Sequence, residues 1–212
     1  MKPYILLSLV LIFACSRQTT WELTSPDGRL KVKIQAVQPE NSLTYMVSRL
    51  GEDGETQIIN PSPMGIERED QDFVSGLTFR SASEIEIIDE QYQLMHGKQS
   101  HCHSLANQQI LQFRSTLGGK LELEFRAFND GIAFRYRFPG KDSSLYTIIS
   151  ESTGFSLPDG VAFMQPHADA YPSYEQHHQI DIPVGTHSPN KAGWSFPALF
   201  NIHEGRFWVL LT

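Results

Sequence analysis

Apolar and polar residues alternate along most of the chain, and this alternation predicts β-strands. The first clear case covers residues 30–36, where every second residue is apolar and the residues between are Lys or Gln. A period of two is typical of a strand with one buried face. Ser25-Pro26-Asp27-Gly28 stands before it and predicts a turn, since Pro fixes φ and Gly permits positive φ. The same alternation at residues 43–47 and 85–87 predicts further strands, with a turn at residues 51–54.

The clearest unit is a hairpin over residues 120–138. Apolar residues alternate from Leu121 to Ala127, Asn129-Asp130-Gly131 follows, and apolar residues alternate again from Ile132 to Phe138. Asp-Gly between two alternating runs is a strong local signal for a hairpin. Beyond the first 14 residues no long stretch shows a period of 3.6 residues. Short strands separated by Gly and Pro turns therefore predict an all-β fold, a sandwich of antiparallel sheets.

The composition fits one globular domain. The chain has 212 residues, of which 40% are hydrophobic and 19% charged, and this is too apolar for a disordered chain. The formal net charge of -7 excludes a generic nucleic-acid partner, because such proteins need a basic face to neutralise phosphates. With only 2 Cys, the chain is not a disulfide-stapled miniprotein.

The first 14 residues have the features of a signal peptide. Lys2 supplies a positive charge, and the apolar segment at residues 4–13 is too short to span a hydrocarbon core of about 30 Å. Ile12-Phe13-Ala14-Cys15 resembles a bacterial lipobox, which predicts lipidation of Cys15, a tether over residues 15–20 and a folded domain over residues 21–212. Because a small or β-branched residue is commoner where Phe13 stands, ordinary secretion with cleavage near Ala14 is the alternative.

Export has two consequences for the rest of the molecule. The lipoprotein hypothesis places the protein in the periplasm or at the outer membrane, with acyl chains on Cys15 as its only membrane contact. Cys102 then has no partner within the chain in an oxidising compartment, so we expect it to be buried and unreactive.

The C-terminal residues are unusually apolar. Phe207-Trp208-Val209-Leu210-Leu211 stands directly before the last residue, whereas domains usually end in a polar, frayed tail. Two interpretations are open: a last strand buried inside the sandwich, or a polypeptide cut short before a following domain. The resemblance described next favours the second.

Several segments, in their order and spacing, resemble the N-terminal domain of glycoside hydrolase family 97, bacterial enzymes that act on α-glucosides or α-galactosides. The resemblance covers essentially all of residues 21–212, and no single motif decides it. The segments that carry it are Ser25-Pro26-Asp27-Gly28, Pro61-Ser62-Pro63-Met64-Gly65, Gly97-Lys98 after Tyr92, Phe128-Asn129-Asp130-Gly131-Ile132-Ala133-Phe134-Arg135-Tyr136, Ser173-Tyr174-Glu175, Phe196-Pro197-Ala198-Leu199-Phe200 and Trp208-Val209-Leu210-Leu211.

The resemblance implies a fold and a division of labour. It implies an antiparallel β-super-sandwich, similar to galactose mutarotase-like domains, which packs on a catalytic (β/α)8 barrel that a small β domain follows. The family's catalytic carboxylates lie on the barrel, and the chain stops where a linker to the barrel is expected. Glycoside hydrolysis needs two carboxyl groups flanking the scissile bond, and no pair of acids in this sequence is assigned to that task. We therefore expect no catalytic residue in this chain.

The resemblance also implies a calcium ligand. In the family a glutamate of the N-terminal domain joins glutamates of the barrel around Ca²⁺ at the rim of the active site, and Glu175 stands where that glutamate is expected. Calcium takes 6–8 oxygen ligands. We therefore expect Glu175 to be an incomplete site in this chain, with an ordinary exposed loop glutamate as the alternative.

The segment around Glu175 is rich in polar and aromatic residues. Tyr174 and His178 are candidate substrate contacts, because sugar sites combine aromatic faces for C–H patches with polar groups for hydroxyls. The alternative is an ordinary long loop between strands, although long loops in compact domains are often functional. An oligosaccharide or glycoside is the expected small-molecule partner.

Other chemistry finds little support. His101 and His103 share one face if the segment is a strand and would begin a zinc site, but no further ligand is identifiable and residues 97–107 have the composition of a polar loop. A Gly-x-Ser-x-Gly elbow and nucleotide-binding glycine motifs are lacking.

Two functional interpretations follow. The first is the non-catalytic N-terminal domain of a glycoside hydrolase, which shapes one side of the sugar pocket and supplies one calcium ligand. The second is a free-standing carbohydrate-binding or structural β-sandwich lipoprotein.

Overall fold

The computed structural model describes residues 20–140, 144–167 and 177–212. Within these ranges the chain forms sixteen strands and no helix, and hence no helix able to cross a membrane. The strands are β1 (Thr20–Thr24), β2 (Leu30–Val37), β3 (Ser42–Gly51), β4 (Gly54–Met64), β5 (Ile66–Arg68), β6 (Gln71–Asp72), β7 (Thr78–Ala82), β8 (Glu86–Gln93), β9 (His101–Arg114), β10 (Lys120–Phe128), β11 (Ile132–Arg137), β12 (Ile148–Glu151), β13 (Gly160–Pro166), β14 (Gln179–Pro183), β15 (Trp194–Ile202) and β16 (Phe207–Leu211).

The strands form four sheets whose pairings are all antiparallel. The first sheet has the order β1-β2-β3-β4, and the second has the order β11-β10-β9-β7, with β8 also paired to β9. The third sheet, β12-β5-β6, is small, and the fourth has the order β14-β13-β15-β16. This arrangement confirms the all-β, antiparallel sandwich that the alternation predicts.

The predicted hairpin is present as β10 and β11. Its register pairs Phe125 with Phe134 and Ala127 with Ile132, so the apolar residues of both strands lie on one face of the second sheet. The N–H of Phe128 donates to the carbonyl of Gly131 across 2.8 Å and closes the turn. The local Asp-Gly signal was therefore sufficient to locate this element.

One predicted strand exists but exposes its apolar residues. Ile85 precedes β8 and Ile87 lies within it, and they are 51% and 73% exposed. β8 pairs with the N-terminal half of β9, where His101 and His103 are also exposed. The first residues of β9 and most of β8 are exposed, and no sheet covers β8 in the part of the chain that the structure describes. The expectation of a polar loop over residues 97–107 is wrong from His101 onward, where β9 begins.

A single core joins the first, second and fourth sheets. Trp21 on β1 shows how the first two sheets meet, since its ring lies 4.6 Å from the ring of Phe79 and 5.5 Å from that of Phe113. Aromatic contacts of this kind add about 0.5–1.5 kcal/mol beyond the burial of area. The largest fully buried apolar side chains of the core are Phe73, Phe113, Phe125, Leu23, Ile34, Met64, Leu111, Leu121, Leu123, Ile202 and Val32.

Two tyrosine hydroxyls form hydrogen bonds between the large sheets and the segments around Gly65 and residues 153–154. The hydroxyl of Tyr45 donates to the carbonyl of Gly154 across 2.9 Å. The hydroxyl of Tyr136 accepts the N–H of Gly65 across 3.0 Å and lies 2.6 Å from Oγ1 of Thr153. Burial raises the pKa of both phenols above its usual value, because a buried phenolate loses its hydration. Both hydroxyls therefore stay protonated and act as structural hydrogen-bonding groups.

Gly160, at the start of β13, offers a direct test of the packing between β13 and β15. A Cβ at this position would meet the carbonyl oxygen of Asn201 and lie 2.9 Å from Cα of Ile202, both backbone atoms that cannot swing away. We expect Gly160→Ala to lower the free energy of unfolding by about 2 kcal/mol, the usual range for overpacking. Urea denaturation followed by tryptophan fluorescence measures this.

Gly51→Ala is the matched control, because a Cβ there meets nothing within 4 Å. We expect this control to change the stability by less than about 0.5 kcal/mol. Equal stability of the two variants would contradict the close approach of β13 and β15.

Candidate functional site

The predicted sugar and calcium residues belong to the connection between β13 and β14. Tyr174 and Glu175 lie outside the described residues. His178 is described and is exposed directly before β14. Because β13 and β14 pair antiparallel, with Met164 opposite Gln179, both ends of this connection emerge from neighbouring strands of the fourth sheet. The structure therefore fixes where the segment starts and ends.

Hydrogen bonds hold the chain where it leaves β13. The N–H of His167 donates to the carbonyl of Gly193 across 2.9 Å, and its Nδ1 lies 3.0 Å from Oγ of Ser195. The side chain of Asn190 donates to the carbonyl of His167 across 2.8 Å. The segment 186–195 thus holds, by hydrogen bonds, the end of the β13–β14 connection that follows β13.

Metal-binding groups are sparse in the part of the chain that the structure describes. Within these ranges no three His, Cys, Asp or Glu side chains come together as a metal site. His101 and His103 lie on one face of β9, as predicted, but Nε2 of His103 lies 2.7 Å from a carboxylate oxygen of Asp89. Cys102 is half-buried rather than buried as expected. His103 and Asp89 therefore form a histidine–carboxylate contact that has no third metal ligand among the described residues.

The fourth sheet has an apolar inner face and a largely apolar outer face, on which Asn201 stands between Val161 and Trp208. Its inner face contributes Ala162, Phe200 and Ile202 to the core. Trp208 and Leu210 of β16 point away from the core and are 57% and 59% exposed. The side of the sheet that points away from the core is called the outer apolar face. Its apolar residues are Val161, Phe163, Leu199, Trp208 and Leu210.

Ring contacts connect the two ends of this face. The ring of Phe163 on β13 lies 5.5 Å from the ring of Trp208 on β16. Leu199 and Leu210 stand opposite each other between β15 and β16. Trp208 and Leu210 are the exposed members of this face, whereas Val161, Phe163 and Leu199 are half-buried. Large exposed apolar patches mark interaction sites.

A cleft opens beside β16, between the first two sheets and the fourth. Its volume is about 480 Å³, within the range of ligand pockets. Its walls combine aromatic residues with two arginines and an Asn-Asp pair at the β10–β11 turn. Among the described strands, β16 pairs with β15 alone and forms an edge of the fourth sheet. The lining residues that carry these properties are Tyr45, Phe134, Phe155, Trp208, Arg29, Arg49, Asn129 and Asp130.

The outer face of the second sheet carries a charged network that the sequence pattern did not reveal. Glu124 on β10 is only 4% exposed. Arg135 donates to both of its carboxylate oxygens, with N···O distances of 2.7–3.0 Å. Arg137 and Arg126 approach the same carboxylate to 3.3 and 3.5 Å. In the sequence, Glu and Arg at alternate positions only show which face of the strand is polar. Which arginine meets which glutamate depends on the β10–β11 register.

The contribution of this charged network to the free energy of unfolding can be measured. Removing one member of a desolvated ion pair leaves the remaining charges without a partner, but Arg135 keeps contact with water because its side chain is 63% exposed. We expect Glu124→Gln to lower the free energy of unfolding by about 2 kcal/mol, the loss typical of hydrogen bonds to a charged group. Chemical denaturation measures it.

Glu90→Gln is the matched control for this change. Glu90 also pairs with Arg126, at 3.4 Å, but its side chain is 52% exposed. Exposed pairs contribute little, so we expect a change below about 0.5 kcal/mol. A Glu124→Gln variant as stable as the control would show that the buried carboxylate does not hold β11 in place.

Known proteins share this fold and sequence. The chain is 29% identical over 154 residues to a probable retaining alpha-galactosidase of Streptomyces bingchenggensis, across 71% of this chain and 23% of that protein. It is 26% identical over 164 residues to a retaining alpha-galactosidase of Bacteroides thetaiotaomicron, across 77% of this chain and 23% of that protein. The chain therefore spans about a quarter of the length of these relatives.

Solved structures agree in fold. A crystal structure of a beta-arabinopyranosidase superimposes with a TM-score of 0.80 at 31% identity, over 90% of this chain and 31% of that one. A glycoside hydrolase family 97 enzyme of Pseudoalteromonas sp. strain K8, solved in complex with panose, superimposes with a TM-score of 0.67 at 24% identity, over 85% of this chain and 26% of that one. The second likeness concerns the fold alone.

The family model described as "Glycosyl-hydrolase 97 N-terminal" matches residues 23–212. This range includes all four sheets and nearly the whole predicted domain of residues 21–212. The chain belongs to the glycosyl hydrolase 97 N-terminal domain family.

Proposed function

We propose that residues 21–212 act as the non-catalytic N-terminal domain of a glycoside hydrolase for α-galactosides or α-glucosides. The observation that carries this proposal is the family match over residues 23–212. Both relatives above are named retaining α-galactosidases and are several times longer than the matched region. Catalysis then belongs to a (β/α)8 barrel outside this chain, whose strand ends are where such barrels carry their active sites.

The acids of the charged network are unsuited to glycoside hydrolysis. A glycosidase needs one carboxyl group that donates a proton and a second that acts as base or nucleophile, on opposite sides of the bond. Glu122 and Glu124 share one face of β10, but Arg137 approaches both, and Arg135 occupies both oxygens of Glu124. Neither carboxylate has a free side to offer to a glycosidic oxygen. They hold the sheet together.

The outer apolar face is the proposed contact with the catalytic domain. Two arguments support this choice. Trp208 and Leu210 would leave water on docking, and apolar burial stabilises by about 25 cal/mol per Å². The β13–β14 connection also starts and ends on the same sheet. A domain docked on this face would therefore lie next to the segment that contains the predicted sugar and calcium residues.

That segment is the proposed rim of the sugar pocket. Tyr174 and His178 would contact the substrate, the first through its ring and the second through a hydrogen bond. Glu175 would give one oxygen to a Ca²⁺ ion whose other ligands come from the catalytic domain, since the ion needs 6–8 oxygens. The resemblance of Ser173-Tyr174-Glu175 to the family's motif supports the role of Glu175, and the polar and aromatic composition of the segment supports those of Tyr174 and His178.

Export completes the proposal. The apolar segment at residues 4–13 and the lipobox-like Ile12-Phe13-Ala14-Cys15 support secretion and lipidation of Cys15. These residues lie outside the described part of the chain. The protein would then work in the periplasm or at the outer membrane, where glycosides reach it, and the tether would end at Thr20, where β1 begins.

The exposed apolar face predicts the behaviour of the chain in solution. We expect the purified chain to self-associate, because Trp208 and Leu210 have no cover among the described residues. The double variant Trp208→Gln/Leu210→Gln should raise the monomer fraction severalfold in sedimentation velocity. Leu117→Gln is the control, since Leu117 is 74% exposed but lies in the β9–β10 turn, away from this face. A clean monomer of the unmodified chain would count against the docking face.

Ligand binding separates the proposed function from a free-standing carbohydrate-binding protein. A lone carboxylate cannot hold calcium, and a rim without its barrel encloses no sugar. Calorimetry with Ca²⁺ should therefore show a Kd weaker than about 1 mM, and a glycan array should show no reproducible signal. Tight calcium binding would refute the shared site, and reproducible affinity for a glycan would favour the free-standing protein.

A further inference from the structure

A second groove lies on the outer face of the second sheet, at the end where β9 and β10 join. Its volume is about 480 Å³. Phe113, Leu121 and Pro139 also line it, although the side chains of Phe113 and Leu121 point into the core on the other face of the sheet. Three cationic side chains line it, namely Arg80 from β7, Arg114 from β9 and Lys120 from β10. We call this the basic groove.

The strand register places two of the three cations opposite each other. Arg114 stands directly opposite Lys120 on one side and Thr78 on the other. Arg80 lies in an irregularity of the β7–β9 pairing, between Phe79 and Ser81. Opposed side chains of neighbouring strands have Cβ atoms about 5 Å apart, and like charges there are destabilising. The sheet therefore holds Arg114 and Lys120 opposite each other at a cost in stability, and Arg80 lines the same groove.

Nothing in the described ranges offsets that cost with an ion pair. Arg80, Arg114 and Lys120 form no salt bridge with any described carboxylate. Glu122 lines the groove, but its carboxylate is engaged by Arg137 at 3.6 Å and by the amide of Gln112 at 3.0 Å.

The other arginines on the same face of the second sheet form ion pairs. Arg126, Arg135 and Arg137 each approach a carboxylate within 4 Å. In a chain of formal net charge -7, acidic partners are not scarce. This cluster, which no described carboxylate pairs with, lies beside a fully paired network and is therefore open to an acidic partner.

We propose that the basic groove binds an oxyanion, a sulfate, phosphate or carboxylate group. Two guanidinium forks and one ammonium group offer N–H donors and no acceptor, which suits a group that only accepts hydrogen bonds. The anion can be a free ion or the charged substituent of an acidic sugar. This inference does not depend on the docking or calcium roles proposed above, because the groove lies on another sheet.

Titration of the whole chain with sodium sulfate tests the proposal. Amide NMR spectra are recorded while chloride is exchanged for sulfate at constant ionic strength. We expect saturable shifts at residues 78–82, 112–114 and 120–122, with a Kd below about 10 mM. Arg114→Gln/Lys120→Gln should weaken binding at least tenfold, and the charge-preserving Arg114→Lys/Lys120→Arg should retain most of it.

Lys98→Gln/Lys191→Gln is the matched control. It removes the same charge from two exposed lysines that form no salt bridge with described residues and lie outside the groove, so the affinity should stay within about twofold. Absence of saturation, or equal weakening by the control, overturns the proposal, because binding would then follow net charge alone. Arg114→Gln/Lys120→Gln with unchanged affinity also overturns it.

Galactose 6-sulfate and galactose distinguish the sources of the anion. Binding of the sulfated sugar at least as tightly as sulfate supports recognition of an acidic sugar, and tighter binding of sulfate alone supports a site for a free ion. Equal binding of both sugars overturns the proposal, since the groove would then recognise hydroxyls rather than charge.

Discussion

The two faces of β10 set the conditions for the rest of the molecule. Leu121, Leu123 and Phe125 are almost completely buried on its inner side, and this burial holds the second sheet against the first. On the outer side of the same strand, Glu124 is also buried, but among guanidinium groups that donate to it. Strand β10 can therefore be buried on both sides because one side is apolar and the other has its charge matched.

The fourth sheet differs from the second, because the described residues of its outer face form no charged network. Its inner side completes the core, while Phe163, Trp208 and Leu210 on the outer side form an apolar surface with no matched charge and no cover among the described residues. The edge of β16 opens onto a cleft of about 480 Å³. A surface of this kind suits a domain that works in contact with another, and this agrees with a match to about a quarter of the length of its relatives.

The cations on the outer face of the second sheet fall into two groups. Arg126, Arg135 and Arg137 each have a carboxylate within 4 Å, whereas Arg80, Arg114 and Lys120 have none among the described residues. The net charge argued against a nucleic-acid partner, and it says nothing about such local clusters. A site for a small anion is consistent with an acidic chain, because it needs three well-placed donors rather than a basic surface.

By itself the sequence determined the strand content, the β10–β11 hairpin and, through motifs in their order, the family, because alternation and turn chemistry act between near neighbours in the chain. It also marked residues 207–211 as unusually apolar. Only the tertiary structure decided that Ile87 faces water, that three arginines converge on Glu124, and that Arg80 joins Arg114 and Lys120. Period two says that one face of a strand differs from the other, but which residue meets which depends on register and on what covers each sheet, and these are set by contacts between distant segments.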